Sequence, residues 1–366
     1  MMVAVLFLFM SVSVVSAQDF DAAQIKAIRE AAERGDAQAQ YDFGLMYANG
    51  VGVAENDVEA VKWYRKSAEQ GHAKAQFNLG QMYRRGEGVA QNDVEAVKWY
   101  RKAAEQGNAT AQYDFGLMYA NGVGVAENDV EAVKWYRKAA EQGQASAQYN
   151  LGNMYQRGEG VAEDDVEAVK WYRKSAEQGH AKAQFNLGLM YANGDDVTEN
   201  DAEAVKWYRK SAEQGHAKAQ FNLGQMYDFG EGVAENDVEA VKWYRKAAEQ
   251  GLAEAQFSLG VSYDTGEGVA EDDAEAVKWS RLAAEQGFAQ AQYNLAMSYA
   301  GALGVEQDFV LAYMWWELAR KGEDEHWTYL SLRNLQYALL QLMAWTMEDE
   351  QIAEAKRLAT EWQAKH

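Results

Sequence analysis

Three of the five histidines in this chain share a spacing that could support metal chemistry. His180 and His216 lie 36 residues apart, and His72 stands at the equivalent position of an earlier unit. Neutral imidazoles are good zinc ligands, and a bound zinc ion can activate water for hydrolysis. Each of these histidines, however, precedes a predicted helix at the same turn. We interpret them as surface turn residues copied by duplication, and we predict no metal site.

An acidic cluster is the second place where an ion could bind. It consists of Asp195, Asp196, Glu199, Asp201 and Glu203. Its spacing does not match an EF-hand loop, so we interpret it as a solvated loop.

The sequence contains no metalloprotease, phosphate-loop or serine-hydrolase motif, and without cysteine it has no thiol nucleophile and no Cys-ligated metal. We therefore predict no catalytic or cofactor-binding residues and a protein that is not an enzyme.

The composition excludes several further classes of protein. The chain has 366 residues, of which 48% are apolar, so it can bury a core and is not disordered throughout. It contains no proline, which excludes polyproline and collagen-like structures. Its 35 basic and 56 acidic residues give a net charge of -21, which repels phosphate backbones. We expect no nucleic-acid partner.

The N-terminus has the pattern of a secretory signal peptide. An apolar run from Val3 to Val15 is followed by the small residues Ser16 and Ala17, which suit signal peptidase cleavage. The run is shorter than the roughly 20 residues that span a bilayer, so an uncleaved anchor is the weaker alternative. The basic segment that usually opens a signal peptide is missing, because the first basic residue is Lys26. We predict that residues 1–17 are removed, that the mature protein has no stable membrane span, and that it is periplasmic or secreted.

The chain repeats itself with a period of 36 residues, and eight units follow one another without a gap. Residues 41–66 are identical to residues 113–138, which indicates recent duplication. Two residue types mark the period in the sequence: glycine at 44, 80, 116, 152, 188, 224 and 260, with Ala296 in the eighth unit, and tryptophan at 63, 99, 135, 171, 207, 243, 279 and 315.

Each unit predicts two helices, illustrated by residues 71–106. The first runs from about Ala73 to Arg84, and its central Gly80 suggests close backbone approach by the second helix. Asn92 and Glu95 have the spacing of a reciprocal capping box at the start of the second helix. A glycine at 107 ends that helix in the left-handed conformation.

A single helical hairpin cannot bury both of its faces, whereas stacked hairpins can, so the repeats predict an all-α solenoid. The ends of such an array differ from its middle. We predict a half-repeat helix at residues 18–35 as the N-terminal cap, eight units over 36–322, and two capping helices over 323–366. The first capping helix is expected from about Trp327 to Trp345, and the second is expected to open at Thr346.

The unit resembles the Sel1-like repeat, a relative of the tetratricopeptide repeat, through A-x-A-Q-[FY]-x-[LF]-G-x-M-Y and E-A-V-K-W-Y-R-K-[SA]-A-E-Q-G. The resemblance implies a right-handed superhelical scaffold that holds protein partners, in bacteria often in the periplasm. Alanine stands where the family often has proline, as at Ala54 and Ala90. A cysteine-rich branch has been linked to β-lactam hydrolysis, but its cysteines are missing here.

The most variable positions form one stripe on the first helix. In unit two the stripe is Lys74, Asn78, Gln81 and Arg85, spaced i, i+4, i+7 and i+11. Two interpretations stay open: neutral drift on a solvated face, or the lining of a concave groove that binds a partner. Apolar residues such as Leu45 in the stripe favour the groove, because a solvated face has no other reason for them. The further candidate partner-binding residues are Asn153, Arg157, Gln225, Asp228 and Phe229.

The sequence as a whole predicts a monomeric, non-catalytic protein-protein interaction scaffold of the cell envelope, with a partner protein or peptide in the groove. Arg85, Arg157 and Phe229 are the expected anchors, because arginine and aromatic residues dominate interfaces. One alternative is an envelope enzyme or enzyme-inhibitor adaptor. The other is a glycan-binding envelope protein that uses exposed rings near Trp316 and Trp327.

Overall fold

The computed structural model describes residues 21–194, 198–321 and 347–365, and within them it contains eighteen α-helices and no strand. Helix α1 (Ala22–Glu33) precedes eight helical hairpins, and α18 (Asp349–Lys365) follows them. The first helices of the hairpins are α2 (Ala37–Asn49), α4 (Ala73–Arg85), α6 (Ala109–Asn121), α8 (Ala145–Arg157), α10 (Ala181–Asn193), α12 (Ala217–Phe229), α14 (Ala253–Thr265) and α16 (Ala289–Gly301). The second helices are α3 (Asp57–Glu69), α5 (Asp93–Glu105), α7 (Asp129–Glu141), α9 (Asp165–Glu177), α11 (Asp201–Glu213), α13 (Asp237–Glu249), α15 (Asp273–Glu285) and α17 (Phe309–Lys321).

The regular succession of hairpins confirms the predicted all-α solenoid. The chain divides into two compact units between Lys174 and Ser175, referred to below as the N-terminal and C-terminal units. The predicted signal peptide and the predicted helix over residues 327–345 lie outside the described residues. The right-handed sense of the superhelix stays a prediction.

The start of each second helix differs from the predicted reciprocal box. The Asn92 side chain accepts a hydrogen bond from the Glu95 backbone N–H at 3.1 Å, as expected of a cap. The backbone N–H of Asn92, however, donates to the Tyr83 carbonyl at 2.8 Å, and the Glu95 carboxylate pairs with Lys98. The reciprocal half of the box is therefore wrong, because the first helix already supplies the acceptor. The same bond to a tyrosine carbonyl recurs before all eight second helices.

The glycine in the middle of the first helix makes room for an aromatic ring. A Cβ at Gly80 would lie 2.8 Å from Cδ1 of Tyr100 and 3.3 Å from the carbonyl oxygen of Ala96. The close neighbour is thus mainly the Tyr100 ring on the second helix, with the backbone slightly further away. Tyr100 is completely buried. The repeated tyrosine and glycine together lock the two helices of a hairpin.

Within the described residues, a helix packs against each end of the array. Ile25 and Ile28 of α1 pack against Phe43 of α2, as a half-repeat cap requires. At the other end Ala355 of α18 is buried in the same cluster as Trp315 of α17. Helix α18 begins at Asp349, later than the predicted opening at Thr346.

Candidate functional site: the first-helix faces

The exposed side of the first helices is the candidate site. In α4 the buried residues are Ala75, Gln76, Leu79, Gly80 and Met82, and they pack inside the hairpin stack. The stripe predicted from the sequence lies outside this set. We call the positions equivalent to 74, 78, 81, 84 and 85 in each repeat the first-helix face.

The outer positions of the face are open to solvent, whereas its middle is shared with neighbouring repeats. Lys74 and Arg85 are exposed, and Asn78 and Gln81 are half-buried. The Asn78 amide interacts with the hydroxyls of Tyr41 and Tyr64 in the preceding repeat. Burial raises the pKa of both tyrosines, and Asn78 offsets part of that rise. Asn78 therefore links adjacent repeats in addition to facing outward.

The polar middle of the face recurs in unit four. The Tyr172 hydroxyl donates to Oδ1 of Asn153 at 2.6 Å, and Oε1 of Gln156 lies 2.8 Å from the same hydroxyl oxygen. Asn153 is half-buried and Arg157 is exposed. The predicted residues Asn153 and Arg157 thus lie on the first-helix face, and Asn153 also contacts a buried tyrosine.

The apolar residues of the stripe have a packing role that sequence reasoning missed. Leu45 packs against the buried cluster of α3 and α4, which contains Tyr64 and Leu79. Leu117 and Leu189 make the equivalent contacts in units three and five. The argument that such residues have no other reason to be there is therefore wrong, and they do not by themselves indicate a binding surface.

Arginines mark the face in the N-terminal unit. Arg85 and Arg157 are each 3.8 Å from a glutamate in the following turn, Glu87 and Glu159 respectively, and all four side chains are substantially exposed. Exposed pairs at this distance contribute little stability. These arginines are free to bind a partner without a large loss inside the protein.

Two carboxylates occupy the asparagine position of this face. Asp42 is half-buried and Asp114 is buried, and burial raises the pKa of both carboxyls. The positive charges of Arg84 and Arg85 act against the rise at Asp114. Asp114 thus lies within the electrostatic reach of the arginines that end α4.

The same face differs in the C-terminal unit. The Tyr244 hydroxyl donates a hydrogen bond to Oδ2 of Asp228 at 3.0 Å. Phe229 is 64% exposed, an unusually large exposed fraction for a phenylalanine side chain. Gln225 is half-buried beside them. The predicted residues Gln225, Asp228 and Phe229 therefore lie together at the end of α12.

The three repeated histidines are helix caps, a role that sequence reasoning missed. His72 Nδ1 accepts a hydrogen bond from the Ala75 backbone N–H at 3.2 Å, and His180 and His216 make the same bond at 3.3 Å. A usable signal was present, because Asn108, a common cap residue, occupies this position in unit three and caps α6. The imidazole nitrogen is thus engaged in holding a helix end.

Within the described residues, no group of three or more histidine, aspartate and glutamate side chains has a metal-binding arrangement. Asp195 and Asp196 of the acidic cluster lie outside the described residues. Trp316 is half-buried, with its ring centroid 5.5 Å from that of Tyr313, and Trp327 is not described. None of the helices that the structure describes has both the length and the apolar character needed to cross a membrane.

Comparisons with known proteins agree with this geometry. A search of curated proteins gave no match. Among solved structures, a protective antigen of uropathogenic Escherichia coli strains, described as displaying an SLR fold, is 36% identical over 94% of this chain and 80% of its own, with a TM-score of 0.64. A Sel1 repeat protein from Oxalobacter formigenes is 30% identical over 92% of this chain and 97% of its own, with a TM-score of 0.64.

The model of the Sel1 repeat matches eight consecutive segments that together cover most of the chain. They begin one residue after the predicted boundary at 36 and follow the hairpins seen in the structure. The matched segments are residues 37–72, 73–108, 109–144, 145–180, 181–216, 217–252, 253–288 and 289–324. This chain therefore belongs to the Sel1 repeat family.

Proposed function

We propose that this protein is a non-catalytic scaffold that binds a partner protein or peptide on its first-helix faces. Sel1 repeat proteins are generally scaffolds for protein interactions, which supports the coarse function. One observation favours the first-helix face over the remaining surface. Over repeats one to six the second helices hardly vary, since α5, α7 and α13 are identical in sequence and α3 and α9 are identical to each other. In these six repeats the first helices carry most of the differences, so they are the helices by which a partner can distinguish one repeat from another.

The expected anchors are Arg85, Arg157 and Phe229, which are exposed at the ends of α4, α8 and α12. Because arginine and aromatic side chains contribute most to interfaces, each change to alanine should weaken partner binding by about 1 kcal/mol or more, roughly fivefold. The fold should not change, since these side chains pack against little of their own chain.

A photo-crosslinking residue at position 81 tests the binding face in the cell that produces the protein. Position 62 is the matched control, because Lys62 is exposed on α3, the second helix of the adjacent repeat one. We expect position 81 to give one defined adduct with a partner protein. The affinity of that partner for the purified protein should then be lower in each of the three anchor variants. Adducts from position 62 alone, with the anchor variants binding normally, would place the binding surface on the second helices.

We also propose that the protein works outside the cytoplasm as a monomer, with the mature chain starting near Gln18. The support is the signal-peptide pattern that ends at Ala17. N-terminal sequencing of the protein from its native host tests the processing, and light scattering of the mature chain tests the oligomeric state. An N-terminus at Met1 on cytoplasmic protein would refute the proposed export.

A further inference from the structure

The cations of the second helices all have partners in their own chain. In unit one Lys62 lies 2.5 Å from the Glu59 carboxylate, and Lys66 lies 3.9 Å from the ring centroid of Trp63. Arg65 donates to the Tyr83 hydroxyl at 2.6 Å. Helices α3, α5 and α7 each contain three acidic and three basic residues, so they carry no net charge. The second helices therefore offer an external ligand little unpaired charge.

The first helices of the N-terminal unit differ in this respect. Helices α2, α4, α6 and α8 contain four cations and two carboxylates, a surplus of positive charge in a chain whose net charge is -21. Among the described residues, Lys74 and Arg84 form no ion pair, and Arg85 reaches only an exposed glutamate at 3.8 Å. Inside the chain these charges lower the raised pKa values of nearby groups such as Asp42 and Asp114.

Among the described residues, neither carboxylate of this face forms an ion pair: Asp42 accepts a hydrogen bond from the Gln38 amide at 2.8 Å, and Asp114 is buried. Burial raises the pKa of Asp42 and Asp114, which means that the protein interior disfavours their charged form. Arg84 and Arg85 are adjacent at the end of α4, where the helix dipole favours cations. A guanidinium group binds a carboxylate through paired N–H donors, so an acidic segment with several carboxylates can bind to the two arginines separately.

We propose that the first-helix face of the N-terminal unit recognises an acidic, extended segment of the partner protein. This inference rests on the proposed scaffold function and specifies the chemistry of the partner. An acidic segment is complementary to Lys74, Arg84, Arg85 and Arg157, whereas the strongly negative remainder of the protein repels it. Binding is thus confined to this face. Nucleic acid, which spreads its charge over a larger surface, meets the surrounding acidic turns.

Fluorescence anisotropy of the purified mature protein tests the proposal with a labelled twelve-residue peptide of alternating aspartate, glutamate, glycine and serine. A peptide with lysine in place of the acidic residues and a single-stranded oligonucleotide of equal charge are the comparison probes. We expect binding of the acidic peptide only, weakened by added salt because the contacts are between charges. Equal binding of the lysine peptide, or tight binding of the oligonucleotide alone, would overturn the proposal.

Two triple variants that each remove three positive charges test whether the peptide binds to the first-helix face. Arg84→Gln/Arg85→Gln/Arg157→Gln removes three arginines from it, and Lys62→Gln/Lys98→Gln/Lys134→Gln removes three lysines from second helices. The first should weaken peptide binding at least about tenfold and the second less than about twofold. A gain-of-function variant, Asp228→Arg/Phe229→Arg, gives α12 the sequence of α4 and should strengthen binding, which misfolding cannot imitate. Equal loss in both triple variants, or no gain in the third, would contradict the proposal.

The crosslinking experiment separates this inference from the proposed function. If the acidic peptide does not bind while position 81 still captures a partner whose affinity depends on the anchors, the acidic chemistry is wrong and the scaffold function stands. If neither binds, both fail. Self-association of the mature chain that Arg84→Gln/Arg85→Gln/Arg157→Gln abolishes would mean that the acidic segment belongs to a second copy, and this outcome would contradict a separate partner.

Discussion

Helices α4 and α12 are identical over their first eleven residues, 73–83 and 217–227, and differ only in the last two. The former ends in Arg84-Arg85 and the latter in Asp228-Phe229. Both bury the same five positions and both end at a left-handed glycine, with φ of 73° at residue 86 and 68° at residue 230. The fold thus accepts either ending. What differs is the surface each helix presents, cationic in one and acidic with an exposed ring in the other.

The difference reaches the buried tyrosine beneath each helix end. Burial, followed by the charge of Asp114, raises the pKa of Tyr100 to about 12, and Arg84 acts against that rise. Burial also raises the pKa of Tyr244, and the Asp228 charge and hydrogen bond raise it further. One scaffold therefore places opposite charges over the same ring. The shared residues determine the fold, and the last two determine the local electrostatics.

The largest expected effect on stability comes from the residues that α4 and α12 share, and it should be equal in repeats two and six. Tyr100→Ala and Tyr244→Ala each remove a ring that is at most 2% exposed and that covers the central glycine of its hairpin. Each should lower the free energy of unfolding by about 3–5 kcal/mol, measured by urea titration of the helical signal.

Trp171→Ala serves as a positive control, since Trp171 is 9% exposed and should cost a similar amount. A loss in unit two that differs from that in unit six by more than about 1 kcal/mol would show that the helix ends affect core packing, and the comparison would then lose its basis.

The helices and their buried residues could be predicted from the sequence because they follow the periodicity within one repeat. The spacing of Tyr100, Gly80 and Asn92 is enough to place helices, their contact and a cap. Sequence reasoning failed where a residue finds its partner in another repeat or on the other helix. Asn78 meets tyrosines of the preceding repeat, and the N–H of Asn92 is taken by a carbonyl of the first helix. Such contacts depend on how the hairpins stack, which spacing within one unit does not specify.

The second prediction concerns the histidine caps, which α4 and α12 share. Burial lowers the pKa of His72, His180 and His216. Nearby lysines lower it further: Lys74 at His72, Lys182 at His180, and both Lys182 and Lys218 at His216. Asp36 acts against the shift at His72. Each neutral Nδ1 accepts a backbone N–H, so protonation removes the cap and puts a positive charge at a helix N-terminus.

A pKa lowered by folding means that the stabilisation is present above the unfolded value near 6.5 and is lost as the pH falls below it. Each cap should account for about 1 kcal/mol, and the unfolding free energy measured between pH 7.5 and 5 should drop accordingly. The triple variant His72→Asn/His180→Asn/His216→Asn is the matched control, because Asn108 caps α6 without titrating in this range. If the triple asparagine variant loses as much stability between these pH values as the natural chain, the caps are not the cause.

The third prediction concerns the hydroxyls of Tyr100 and Tyr244, whose removal should have different effects on stability in repeats two and six. Tyr244→Phe removes the hydrogen bond to Asp228, and because that carboxylate is half-buried the cost should be about 1 kcal/mol. The Tyr100 hydroxyl is buried and makes no hydrogen bond within the described residues, so Tyr100→Phe should be neutral or slightly stabilising. Urea titration of the two variants measures the difference. Equal costs would show that Arg84 and Asp228 hold their tyrosines in the same way.

The smallest expected effect on stability comes from exchanging the helix ends themselves. Arg84→Asp/Arg85→Phe gives α4 the sequence of α12. It loses the favourable interaction of two cations with the C-terminal end of the helix dipole, worth about 0.3–1 kcal/mol each. It gains a carboxylate that can accept a hydrogen bond from Tyr100, as Asp228 does from Tyr244. These terms oppose each other, so the unfolding free energy should change by less than about 1 kcal/mol, while binding of the acidic peptide falls sharply. A large loss of stability would mean that the arginines of α4 are retained for the fold. An unchanged fold with lost binding would assign them to the partner.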